Sequence, residues 1–192
     1  MSESTVAVTG ATGFIGQLLV HSLIKNGCKV RALTRTPRIS DESIEWIMGD
    51  LNDQIALQSL VKGVSAIVHC AGVVRGSSLK EFTNTNVGGT NNLVRISLQQ
   101  TPPPKFLLIS SLAAREPSLS WYAKSKYLAE QIVADNSGIM PWTIFRPTAV
   151  YGPGDKELSP LLRITRYGVL PMVGSKTARY SLIHVSDLVS AI

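Results

Sequence analysis

The first strand of this chain runs directly into a glycine-spaced turn, and that junction limits the folds open to it. TVAVTG (residues 5–10) is a short apolar, β-branched run, and FIGQLLVHSLIKNG (14–27) follows with helical periodicity and a terminating Gly27. Between them TGATGFIG (9–16) places glycines at positions 10, 13 and 16. Glycine is needed where a backbone turns tightly, where it must approach a phosphate, and where the next helix packs close to the sheet. A helix opening at such a turn offers free N–H groups and a positive dipole end to a pyrophosphate. The strand on one side and the helix on the other are the context this motif requires. Gly10, Thr12, Gly13, Phe14, Ile15 and Gly16 are therefore candidate contacts to a dinucleotide, the alternative being a turn that holds no ligand.

The same alternation continues along the chain. Strands are predicted at 29–35, 44–50, 65–72, 105–111 and 141–147, and helices at 53–63, about 80–100, and from SWYAKSK (120–126) through YLAEQIVADN. The prolines at 102–104 end the long middle helix. Strands separated by helices of this length are crossover units, which predicts an α/β fold: a doubly wound parallel sheet with helices on both faces. At 192 residues the chain makes one such domain. Its last segment, HVSDLVSAI, begins a helix with Ser186 as N-cap and Asp187 in the first turn. So short a helix is not stable alone, so the chain is expected to be truncated at its C-terminus.

Composition narrows the functional classes. The net charge of +6 is spread thinly, with no Lys/Arg run of the kind that marks nucleic-acid binding. Cys28 and Cys70 lack the spacing of a metal site or a disulfide framework. No apolar run is long enough to span a bilayer, and MSESTVAVTG leaves no room for a signal peptide. A cytoplasmic protein acting on a small molecule, with no metal, nucleic-acid or membrane partner, is the expectation.

The second strand bears on cofactor choice. Folds that prefer NAD usually carry an acid near its end, where it binds the ribose hydroxyls. Here the strand reads VRALTRT, with Thr34 about where the acid would stand and Arg35 next. A guanidinium pairs with a 2′-phosphate that a carboxylate would repel, so NADP(H) is favoured over NAD(H). The alternative for Arg35 is a solvated surface charge. Asp50, closing the third strand in GDL with Leu51, either accepts a hydrogen bond from the adenine amino group or caps the next helix.

Tyr122 and Lys126 are four residues apart in SWYAKSK and share a helix face. Alone, that is an ordinary amphipathic surface. With TGATGFIG, GDL at 49–51, HCAG at 69–72, NVGGT at 86–90, ISS at 109–111, RPTAVYGPGD at 146–155 and HVSDL at 184–188, the chain resembles the extended branch of the short-chain dehydrogenase/reductase superfamily, with its NAD-dependent epimerases, dehydratases and reductases. The resemblance implies a Rossmann fold. It makes Tyr122 the catalytic acid–base, Lys126 its partner and a ribose ligand, and Ser111 the residue that orients the substrate oxygen. A free phenol titrates near ~10, and a nearby ammonium together with the positive nicotinamide ring is expected to favour the phenolate. It further implies that Ala71 and Gly72 give room to the adenosine side and that Pro147, Thr148 and Val150 line the nicotinamide side. Asn86 matches an asparagine that organises a proton path in some members, or is structural. Arg146 is expected to be a structural or phosphate-side charge, Tyr151, His69 and His184 to be structural, and Lys124 to face solvent.

The sequence also departs from the family. Ten residues separate Ser111 from Tyr122, fewer than in many nucleotide-sugar epimerases, and Leu112 and Ala113 supply none of the acid a dehydratase wants beside the serine. Extended members carry a C-terminal substrate domain, of which only residues around 155–183 would belong to this chain. The resemblance therefore implies an NAD(P)-dependent oxidoreductase acting on a carbonyl or alcohol. The alternatives are a nucleotide-sugar epimerase/dehydratase and a non-catalytic NADP(H)-binding sensor or assembly protein. Family members often form homodimers through the helix carrying YxxxK, and YLAEQIVA has apolar positions for both core and partner.

Overall fold

A computed structural model describes residues 4–168, 175, 177 and 179–192. Its centre is a six-stranded sheet built from β1 (Thr5–Thr9), β2 (Lys29–Thr34), β3 (Ile44–Met48), β4 (Ala66–His69), β5 (Lys105–Ile109) and β6 (Trp142–Phe145), in the order β3-β2-β1-β4-β5-β6. Every pairing is parallel. The sheet is the predicted doubly wound Rossmann arrangement: strand order reverses between β1 and β4, the crevice where such folds bind ligands.

Period-two alternation divides the core between the two faces. Ala7, Leu33, Ile67, Phe106 and Leu108 point to the face covered by α2 (Gln54–Val61), α4 (Gly89–Ser97) and α5 (Trp121–Asn136). Val6, Val8, Val30, Ala32, Val68 and Ile109 point to the face covered by α1 (Phe14–Lys25) and the last helix, α7 (Val185–Ala191). The final helix thus buries Val185, Leu188 and Val189, which is what holds so short a segment in place.

Four local features differ from the sequence reading. The helix expected over 80–100 is three pieces: α3 (Leu79–Phe82), a π-helical turn (Thr83–Gly88) and α4. Asn86, 2% exposed, lies within this turn, and its side chain bonds Val73 and Ser125. The sixth strand stops at Phe145, just before Arg146 and Pro147, and Pro147 has no N–H to continue a ladder. The last helix is capped by His184 and not Ser186: His184 Nδ1 accepts from the Ser186 N–H at 3.3 Å. Finally, β7 (Ala149–Tyr151) and β8 (Leu182–His184) pair in parallel as a separate two-stranded sheet. Within the segment assigned to substrate binding, α6 spans Ser159–Thr165, while residues 169–174, 176 and 178 lie outside the described residues.

Candidate active site

The glycine turn closes against the end of β4. Gly10 has φ +69°, and a Cβ there would lie 2.6 Å from Ala71 N. At Gly16 a Cβ would run into the Gly10 carbonyl, so α1 can approach the turn only with glycine at that position. Gly13 is the N-cap of α1 and offers no side-chain bond to the helix N–H groups. Those donors face a cleft of about 300 Å³ lined by Gly10, Thr12 and Gly13 on one side and Ala71, Gly72 and Val73 on the other. An uncapped helix end beside backbone stripped of side chains fits a pyrophosphate. Gly10→Ala and Gly16→Ala are each expected to lower the unfolding free energy by about 2 kcal/mol or more, through left-handed strain at the first and collision with backbone at the second. Thermal unfolding of the two variants beside the parent checks this.

The outer wall comes from the ends of β2 and β3. Thr34, Arg35, Asp50 and Leu51 line it, as do Gly49 and Asn52. Thr34 Oγ1 is occupied locally, donating to the Thr36 carbonyl at 2.8 Å. Arg35 is exposed and makes no ion pair or hydrogen bond among the described residues. Of the two roles open to Asp50, helix capping falls to Asp53, whose carboxylate accepts from Ala56 N at 3.0 Å. Asp50 instead closes a tight turn onto Asn52 N at 2.7 Å, at the rim of the cleft.

Some predicted contacts lie elsewhere. Phe14, Ile15 and Gly16 do not line the cleft: the first two pack into the core face under α1, and Gly16 is spent on close packing. Leu51 is at the cleft but buried over Gly89 of α4. Asn86 also stands behind the wall. Its Oδ1 accepts from Val73 N at 2.8 Å, and its Nδ2 donates to the Val73 carbonyl at 3.1 Å and to Ser125 Oγ at 2.9 Å. Ser125 donates in turn to the Tyr122 carbonyl at 2.8 Å. With its amide engaged in this way, Asn86 ties the loop after β4 to α5, behind the residues that line the cleft. Val150 packs in the core and Pro147 accepts from Leu112 N at 2.9 Å; neither lines the described cleft. Gly49, Asn52, Cys70, Val73 and Thr85 do line it and were not singled out from sequence. The first four follow strand ends, the positions that surround a switch-point crevice. Thr85 reaches the cleft through the π turn, which carries no sequence signature here.

Ser111, Tyr122 and Lys126 come together past the end of β5. Ser111 caps a 3₁₀ turn (Leu112–Arg115), accepting from Ala113 N at 3.2 Å. Ser120 caps α5 by accepting from Ala123 N at 3.0 Å, which fixes the start of the helix and hence the shared face of Tyr122 and Lys126. Burial pushes the Tyr122 phenol above its ordinary value, and the neighbouring Ser111 hydroxyl only partly offsets this. Burial is thus the larger influence on the phenol in the chain by itself. Lys126 is 7% exposed, and its Nζ donates to the Ile109 carbonyl at 2.6 Å. Burial pulls its pKa down to about 8, against the opposing pull of Cys70 and Glu130. Cys70, beneath the cleft, is pushed up to about 12 by burial and stays a thiol.

A neutral histidine underlies the glycine turn. His69 is 1% exposed, with Nδ1 2.6 Å from Thr9 Oγ1 and Nε2 3.0 Å from Thr90 Oγ1. Thr90 gives its proton to the Asn86 carbonyl at 2.6 Å, so it accepts from His69. The ring is therefore the Nε2–H tautomer, with Thr9 donating to Nδ1 and accepting from Ala71 N at 3.3 Å. His69 is satisfied locally, as expected. Arg146 and His184 are structural, bonded to Glu130 and capping α7; Tyr151 packs edge-on to His184, and Lys124 is exposed.

A doubly wound parallel sheet with an open glycine turn at its switch point, and a serine, a tyrosine and a lysine gathered beyond its fifth strand, defines a Rossmann-type protein of the extended short-chain dehydrogenase/reductase class. The chain belongs to the NAD dependent epimerase/dehydratase family, which it matches over residues 6–192. It is 40% identical to a ceramide reductase of Caulobacter vibrioides, covering 97% of this chain and 59% of that protein. It is 30% identical to a 2-alkyl-3-oxoalkanoate reductase of Stenotrophomonas maltophilia, covering 95% and 62%. Among solved structures it is similar to MoeE5 in complex with UDP-glucose and NAD, at 30% identity and TM-score 0.81 over 98% of this chain and 70% of that one. The chain thus spans about three fifths of the length of these two curated relatives.

Proposed function

We propose that this chain is the cofactor half of a nicotinamide-dependent reductase that converts a carbonyl to an alcohol. The observation that carries the reading is the Ser111–Tyr122–Lys126 set past the end of β5, with Lys126 buried, Ser111 and Tyr122 half-buried, and burial holding the Tyr122 phenol above its ordinary value. Gly10, Thr12 and Gly13 would hold the pyrophosphate, Asp50, Ala71 and Gly72 the adenosine side, and Lys126 the nicotinamide ribose. When bound, the nicotinamide supplies the hydride. Ser111 orients the substrate oxygen, and Tyr122 gives that oxygen its proton from within hydrogen-bond reach. A protonated phenol suits the reductive direction, and the two relatives named above are reductases by name. The likeness to MoeE5 with UDP-glucose and NAD supports a second reading, an epimerase that keeps its cofactor. Net consumption of reduced nicotinamide on mixing protein, cofactor and a carbonyl compound such as a 3-oxo acid supports the reductase; product without net consumption supports the epimerase.

Arg35 supports a preference for NADP(H) over NAD(H), because its cation stands unpaired among the described residues at the cleft wall where a 2′-phosphate would lie. Arg35→Ala is expected to weaken NADPH binding by about 10-fold or more and to leave NADH binding unchanged. Calorimetric titration of both forms checks it, and no loss for either would return Arg35 to a surface charge. The exposed faces of Trp121 and Tyr127 on α5 support pairing of two copies along that helix. Among the described residues no helix is long and apolar enough to cross a membrane, and a cytoplasmic setting is part of the proposal.

A further inference from the structure

Tyr122, Lys126 and Glu130 follow one another at four-residue steps along α5, one stripe of the helix facing the sheet. Glu130 is 1% exposed, which is rare for a carboxylate without a partner. Its partner is Arg146, just past the end of β6. Arg146 Nε donates to Oε1 at 2.9 Å and to Oε2 at 3.1 Å, and a terminal nitrogen donates to Oε2 at 2.5 Å. The guanidinium itself is partly exposed, its side chain 46% accessible. The pair therefore runs from solvent to the interior, with its negative end one helical turn from the buried ammonium.

We propose that Glu130, clamped by Arg146, is a positioning residue for Lys126, keeping its ammonium charged in the site while Arg146 limits how strongly it does so. The proposal rests on the reading of Lys126 as the lysine that serves Tyr122 and the ribose.

The other groups around Lys126 cannot do this. From β4 it faces His69 and Cys70: the imidazole is held neutral, with its pKa lowered to about 3, and Cys70 remains a thiol. The loop after β4 contributes Gly72 backbone, and β5 contributes the Ile109 carbonyl, a dipole with no net charge. On its own helix Tyr122 is a neutral phenol. Cys70 is the larger of the two groups that pull Lys126 upward, but only as a thiolate, a form it does not take near pH 8. Glu130 is then the anion that opposes burial.

The two ends of the pair make opposite predictions, which no loss of packing would do. Lys126 is followed by NMR in protein carrying ¹³Cε-lysine, its signal assigned by disappearance in Lys126→Met. Glu130→Gln removes the anion, leaves the Arg146 cation, and is expected to lower the Lys126 midpoint by about half a pH unit or more. Arg146→Gln leaves the anion unmasked and is expected to raise it. Arg146→Lys keeps the charge and should stay near the parent. The double variant Glu130→Gln/Arg146→Gln should lie between Glu130→Gln and the parent, so the order is readable even if Arg146→Gln alone does not fold. Glu130→Gln and Arg146→Gln shifting in the same direction, or Glu130→Gln and the double variant both leaving the midpoint at the parental value, overturns the proposal. The titration needs no substrate and no cofactor: failure of the reductase reading shows as absent cofactor binding, failure of this proposal as an unmoved lysine.

Discussion

Tyr122→Phe is expected to bind nicotinamide cofactor as the parent does and to lose about 10²–10⁴-fold in turnover. The substitution removes one oxygen and keeps the ring, which packs edge-on against Phe82 at 6.3 Å between centroids. The cleft on the other side of Gly72 is untouched, since Tyr122 does not line it. What disappears is the proposed proton donor beside Ser111. Steady-state kinetics beside a cofactor titration separate the two effects. Turnover equal to the parent would remove Tyr122 from the mechanism, and a matching loss of cofactor binding would make it a structural residue. Its pH profile also has a stated direction. Lys126 loses its charge as pH rises through about 8, so activity that depends on the ammonium should fall on the alkaline side of that value.

The second large effect is on stability. His69 sits neutral between two threonine hydroxyls, and burial together with the nearby Lys126 charge lowers its pKa from 6.5 to about 3. As pH falls, the unfolded chain takes up this proton first. The contribution to stability is complete above about pH 6.5 and is lost progressively down to about pH 3, a total on the order of 5 kcal/mol. Lys126 and Cys70 titrate above this window and do not offset it. Urea midpoints at pH 7 and pH 4.5 should therefore differ strongly in the parent. In His69→Gln, which cannot take up the proton, the difference should shrink, even though its stability at pH 7 falls with the lost bonds. An unchanged difference would show that other groups carry the acid sensitivity.

The fold was legible because its units are local. TVAVTG, KVRALTR and KFLLISS each alternate two apolar faces, and the helices between them force parallel crossovers. What could not be read are features set by contacts between distant segments. The π turn depends on Asn86 meeting Val73 and Ser125, and neither partner is near it in sequence. The β7–β8 pair joins Val150 to Ile183 across more than thirty residues with strands of three residues each. His184 takes the capping role expected of Ser186 because the helix begins at Val185, and the His184 ring nitrogen, two residues before Ser186, accepts from the Ser186 N–H. At the site, Ser111, Tyr122 and Lys126 were readable through the family pattern, since one strand end and one helix face place all three. The upward push of burial on the Tyr122 phenol was not, because the spacing of YxxxK does not encode burial.

The most direct test of the account is a titration of the purified chain with NADPH and with NADH, followed by calorimetry. Saturable binding of reduced nicotinamide dinucleotide, stronger for NADPH and abolished by Gly10→Ala, is the predicted result. Binding of neither form by a folded chain would contradict the assignment of the β1–β4 cleft, and with it the mechanism built on Tyr122 and Lys126.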